Sequence, residues 1–144
     1  MVSLTACAPT IATTAAEHAT DPACAKVVLS LPDTVLEQDR AKVTAQATAA
    51  WGEPGAAITF TCGVADPDPA SEQCQSMTLN IFGKEEVFDW ILVESKQGLN
   101  YISYGRSPAM LVQIPFTLGS SQPTAALSDI ALAVSHIPAT KACK

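Results

Sequence analysis

Little in this chain is aromatic, charged or basic, and each shortage narrows what the protein can do. Aromatic residues make up 6% and charged residues 15% of the 144 residues, and 8 Lys and Arg face 14 Asp and Glu, for a formal net charge of −6. Phosphate backbones need a basic stripe, and no run of Lys or Arg supplies one, so nucleic acid is not expected as a partner. The same acidic balance keeps the folded surface off an anionic membrane. No apolar run reaches the ~18–20 residues that span a bilayer, so the chain is not expected to cross a membrane by itself. A Gly-rich phosphate loop, His-Glu-x-x-His and Gly-x-Ser-x-Gly are all absent. His18 and His136 stand at no zinc-ligand spacing from the cysteines, and no Cys-x-x-Cys pair occurs, so neither a metal nor any other cofactor is expected.

What is present is a hydrophobic fraction of 48% in a length suited to one domain with its own core. Cysteines stand at 7, 24, 62, 74 and 143. Four widely spaced cysteines and one near the N-terminus suggest two disulfides and one special thiol, which implies an oxidising, extracytoplasmic compartment. Leu4-Thr5-Ala6-Cys7 has the Leu-small-small-Cys form of a bacterial lipobox, at which a lipoprotein leader is cut and its cysteine lipidated. Only six residues precede Cys7, so residues 1–6 read as the remnant of a signal peptide whose charged and apolar regions are missing. Residues 7–20, rich in Ala and Thr and without a period, read as a lipidated cysteine followed by a flexible tether of ~20 Å mean reach. His18 falls in this tether as a solvated residue. Two or three acyl chains on Cys7 give stable anchoring where one alone is marginal.

The folded domain is expected over residues 21–144. Asp21-Pro22 is a helix start, an N-cap followed by Pro in the first turn. Cys24, Val27, Val28 and Leu31 then share one helical face before Pro32 stops the run. Val35 to Arg40 reads as a polar connection with room for another helical turn. From Val43 to Trp51 the period is two, which predicts a strand, and Gly52-Glu53-Pro54-Gly55 turns it into a partner carrying Ile58, Phe60, Cys62 and Val64. Asp66 to Gln73 is an acidic, Pro-containing loop. Met77–Phe82, Val87–Glu94, Leu99–Tyr104 and Ala109–Phe116 are four more strands of an antiparallel meander. After the Gly119-Ser120-Ser121 break, Pro123 opens a helix with Leu127, Ile130, Ala131, Val134 and Ile137 on one side, closed by Pro138. The predicted class is α+β: an antiparallel sheet of about five to six strands with an N-terminal and a C-terminal helix packed on it.

Four cysteines allow three connectivities. The preferred pairs are Cys62–Cys74, closing the acidic loop, and Cys24–Cys143, tying the first helix to the chain end; both are read as structural. Asp89, between Phe88 and Trp90, carries a charge inside an apolar strand, where it is costly unless paired. Arg106, in Gly105-Arg106-Ser107-Pro108, has a fork suited to a carboxylate or phosphate. An internal Arg106–Asp89 pair accounts for both residues without a ligand. Ser135 and His136 diverge by ~100° as helical neighbours and do not make a nucleophile–base pair; His136 is instead expected to interact with the helix C-terminus.

Asp21-Pro22-Ala23-Cys24, Ala50-Trp51-Gly52-Glu53-Pro54, Cys62-Gly63-Val64, Asp89-Trp90, Tyr104-Gly105-Arg106-Ser107-Pro108-Ala109 and Cys143 together give the chain a family likeness. In their order and spacing it resembles the domain of unknown function 3515 family, small secreted or lipid-anchored proteins of high-GC Gram-positive bacteria. The resemblance runs from Asp21 to Cys143. It departs at Thr61, where the family usually has Arg, and over Phe82 to Phe88, which replaces a short Asn-Gly-Val. The likeness implies an envelope location and paired cysteines, and it supplies no activity and no catalytic residues.

The expected function is that of a non-enzymatic envelope lipoprotein of unknown biochemical activity. It would be held extracytoplasmically at the cell membrane by a lipid anchor, as an accessory or docking subunit of an envelope protein complex. The alternative is a binding module for a small envelope ligand, with Trp51, Trp90, Tyr101, Tyr104 and Arg106 as an aromatic and cationic surface.

Overall fold

The computed structural model describes residues 9–68, 73–119 and 123–143. Cys7 and the Leu4–Cys7 pattern lie outside the described residues. Thr10–Ile11 forms β1 and Pro22–Ser30 forms α1, followed by β2 (Thr34–Val35), β3 (Gln38–Val43), β4 (Thr48–Glu53) and β5 (Ala56–Val64). The second half holds β6 (Cys74–Ile81), β7 (Lys84–Glu94), β8 (Gly98–Tyr104) and β9 (Ala109–Pro115), then α2 (Phe116–Gly119) and α3 (Pro123–Val134).

Helices and sheet combine as expected, but the sheet is larger than predicted and mixed. Among the described residues it has nine strands in the order β1-β3-β4-β5-β9-β8-β7-β6, with β2 paired on β3. Every pairing is antiparallel except β1 on β3, where Thr10 stands beside Lys42 and Ile11 beside Val43. Two meanders, β3-β4-β5 and β6-β7-β8-β9, are thus joined through the β5–β9 pair.

The period-two pattern sorts side chains onto two faces. The row Ala49, Phe60, Val112, Tyr101 crosses the sheet on the inner face. It packs with Cys24 and Val27 of α1 and Leu127, Ile130, Ala131 and Val134 of α3 in the main core. The next row, Thr48, Thr61, Leu111, Ile102, Ile91 and Cys74, crosses on the outer face. α1 starts as predicted: Asp21 is its N-cap and accepts a hydrogen bond from the Ala23 N–H at 2.9 Å. At its other end the Val28 carbonyl accepts the Leu31 N–H at 3.3 Å, and Arg40 donates to the Leu31 and Val28 carbonyls at 3.2 and 3.3 Å, adding a side-chain cap to the last turn.

Three local expectations are corrected. Val35 to Arg40 is not helical; its residues enter β2 and β3, where Arg40 stands opposite Trp51 of β4 with its guanidinium Cζ 6.0 Å from the centroid of that inner ring. The expected strand from Val43 to Trp51 is broken at residues 44–47, where Ala47 turns with a φ of 59°. Finally, the part of residues 7–20 that is described is no tether. Ile11 and Ala19 are buried, and Ile11 packs with Ala41 and Ala50 on the outer face. The Thr13 hydroxyl meets that of Thr48 at 2.8 Å, and the His18 N–H donates to the Gly63 carbonyl at 2.9 Å. Gly63 makes the last contact possible: its φ is 102°, and a Cβ there would meet the backbone of His18 and Ala19.

Candidate functional site

The four cysteines of the folded domain pair, though not as expected. The disulfides are Cys24–Cys62 and Cys74–Cys143, with Cα atoms 5.6 and 6.2 Å apart. Cys62 and Cys74 cannot bond: β5 and β6 are four places apart in the strand order, ~19 Å at ordinary strand spacing, and the two side chains leave opposite faces. Instead α1 crosses the inner face so that Cys24 meets Cys62, while the C-terminal segment reaches Cys74 on the outer face.

Asp89 and Arg106 are both buried, 6% and 3% exposed, and they do not pair with each other. Alternation along β7 sends them apart. Asp89 sits opposite Tyr104 on the outer face, where its carboxylate accepts the Ser76 hydroxyl at 2.5 Å and the Cys143 N–H at 2.8 Å. Arg106 follows Gly105, whose φ of 86° turns the chain and whose missing Cβ admits the Lys141 backbone. The guanidinium then reaches the inner side, with Cζ 4.6 Å from the Phe88 ring centroid. Nη1 donates to the Ile137 carbonyl at 2.6 Å, and Nη2 to the Glu86 carboxylate at 2.9 Å and the Val87 carbonyl at 3.0 Å. The expected Arg106–Asp89 pair is therefore replaced by two separate nodes, each holding the chain beyond α3 to the sheet. Glu86, Arg106's partner, was legible in principle: in a period of two it shares a face with Phe88, and Asp89 does not.

Ser135 and His136 are also engaged internally. Ser135 donates to the Leu132 carbonyl at 2.6 Å, while His136 Nε2 meets the Ser30 hydroxyl at 3.0 Å, so the pair is split and His136 links α3's end to α1. The His18 ring is exposed beside Glu17. The aromatic surface considered for a ligand does not exist as such, because Trp51, Trp90 and Tyr101 are 0%, 1% and 2% exposed. Trp51 Nε1 donates to the Pro32 carbonyl at 2.9 Å. Burial holds the Tyr101 phenol above its ordinary pKa, and the charge of Glu94 adds to the shift.

Among the features left uncovered, two belong to the sheet. One is a hollow on the outer face where the neutral polar side chains of Thr59, Ser95, Gln97, Asn100 and Gln113 stand beside Ala57, Gly98, Ile114 and Pro115. The other is β6, the outermost strand of the second meander.

Residues 4–142 match a family model. No curated protein and no solved structure matches the chain. With nearly its whole length matched, the chain belongs to the family described as Protein of unknown function (DUF3515).

Proposed function

We infer that this protein is an extracytoplasmic lipoprotein with a non-enzymatic, accessory or docking role at the cell membrane. One observation carries the reading: the four cysteines of the domain are consumed in two crosslinks, leaving Cys7 as the odd cysteine of the sequence, within Leu4-Thr5-Ala6-Cys7. Chain order supports it. Pro9, two residues after Cys7, already accepts a hydrogen bond from the Lys42 N–H at 3.0 Å. An anchor on Cys7 therefore holds the domain against the membrane rather than at the end of a long leash. The non-enzymatic part of the reading is supported by the way Asp89, Arg106, Ser135 and His136 are all engaged in contacts within the fold.

The test is fractionation of cells carrying the gene at its native locus, with labelled palmitate in the medium. Label and membrane fraction are expected in the wild type and lost together in Cys7→Ser. A Cys7→Ser protein that stays in the membrane fraction contradicts the anchor. The docking role is tested by isolating the tagged wild-type protein from detergent-solubilised membranes. A stoichiometric partner is the expected result, and repeated recovery of the chain alone contradicts it. The neutral hollow around Thr59, Asn100 and Gln113 favours a second reading, a module that binds an uncharged, hydroxyl- or amide-bearing envelope ligand.

A further inference from the structure

The two edges of the sheet are treated differently. At the β3 edge, β1 and β2 both add to the sheet, so its outward groups are covered. At the other edge β6 pairs with β7 over all eight residues without a register shift, and no strand among the described residues lies beyond it. Natural sheets protect such an edge with charges, Pro or a bulge. β6, Cys-Gln-Ser-Met-Thr-Leu-Asn-Ile, has none of these.

The hydrogen-bond phase says which groups are offered. The Leu92 N–H donates to the Gln73 carbonyl. Alternation then commits residues 75, 77, 79 and 81 to β7 and turns the backbone N–H and C=O of Ser76, Thr78 and Asn80 outward. The side chains of these three residues are exposed, whereas Met77, Leu79 and Ile81 are half-buried at the rim of the main core.

We propose that β6 pairs with β6 of a second copy of this chain, antiparallel about a twofold axis at Thr78. The strand is complementary to itself in that register. Thr78 meets Thr78 of the other copy, Ser76 meets its Asn80, and each such pair exchanges two N–H···O bonds. On the core side Met77 is set against Leu79 of the other copy, which extends the apolar rim across the axis. Cys74, tied to Cys143, lies outside the new ladder. Because the opposite edge is already covered, the pairing closes at two copies and does not propagate into a filament. It also stands independently of lipidation. A twofold axis normal to the sheet leaves the two Pro9 positions at equivalent outer corners of one face, so the dimer forms with or without anchors. An edge pairing of this length is small for an interface, and two chains of charge −6 repel, so association strengthens as salt is raised.

The test uses the full chain with Cys7→Ser, to remove the odd thiol, and one added cysteine. Residues paired across the axis have Cα atoms ~5.5 Å apart, within disulfide range, whereas Ser76 lies ~14 Å from Ser76 of the other copy. Under mild oxidation Thr78→Cys is expected to form a crosslinked dimer at least about tenfold faster than Ser76→Cys or Asn80→Cys. Sedimentation of the parent chain is expected to show a monomer–dimer equilibrium that shifts to dimer with salt and is weakened about tenfold by Thr78→Asp. Thr78 is exposed, and unchanged melting temperatures confirm that the variants fold. Equal crosslinking rates at the three positions, or a monomer up to millimolar concentration, overturn the proposal. So does a dimer that forms without selective crosslinking at position 78, since its interface lies elsewhere.

Discussion

Cys24 and Cys62 bring their Cα atoms to 5.6 Å across the contact between α1 and β5, fixing the helix to the middle of the sheet. The link spans 38 residues, and Cys74–Cys143 spans 69. In the chain-entropy model each restricts the unfolded chain by about 4 kcal/mol. Replacing Cys24 and Cys62 together by Ser is expected to lower the melting temperature by about 10 °C, measured by calorimetry. A change within error would mean that α1 is held by packing alone.

Arg106 and Glu86 divide the cost of their node unequally. Arg106 is buried, and its removal leaves the Ile137 and Val87 carbonyls without their donor. Arg106→Met is expected to destabilise by about 3 kcal/mol, and Arg106→Lys by somewhat less, since an ammonium cannot fork between β7 and the chain after α3. The Glu86 side chain is 33% exposed, so Glu86→Gln is expected to cost less than about 1 kcal/mol. Denaturant titrations of the three variants check the order.

Gly63→Ala is expected to detach the N-terminal segment. The added Cβ meets the His18 and Ala19 backbone, and the φ of 102° is strained for Ala. A loss of about 3 kcal/mol is expected. Hydrogen exchange should also speed up at His18 and Thr13 before the amides of β8 and β9, and uniform protection would contradict the placement of this segment.

Tyr101 sets an alkaline limit. Its pKa is raised from 10.0 by burial, with Glu94 adding to the effect, so above that pH the unfolded chain releases a proton that the folded chain retains. The free energy of unfolding therefore holds below about pH 10 and falls as pH rises through the raised value. Tyr101→Phe should flatten that fall in denaturant titrations between pH 9 and 11; an unchanged slope would assign it to other groups.

The sequence reveals the strands from Ile58 to Val64 and from Val87 to Ile114 because their alternating side chains meet a core on one side. It hides β3, where Gln38, Asp39, Arg40 and Lys42 look like a solvated turn, although the Arg40 guanidinium lies over the ring of the buried Trp51. It hides the seating of residues 9–20 as well. Thr13 and His18 are held there by hydroxyl and backbone bonds, which leave no hydrophobic period. The cysteine pairing depends on strand order. Cys62 and Cys74 are near in sequence, but β9, β8 and β7 intervene between their strands, a fact that local spacing does not carry. Asp89 and Arg106 were visible as polar residues needing partners, whereas the choice of Ser76, Cys143 and Glu86 followed from register.

The most direct measurement is peptide mass mapping of the unreduced protein isolated from native membranes. The account predicts Cys24 linked to Cys62, Cys74 linked to Cys143, and an N-terminal peptide beginning at acylated Cys7. A free, unmodified Cys7, or Cys24 and Cys74 recovered as thiols, would contradict it.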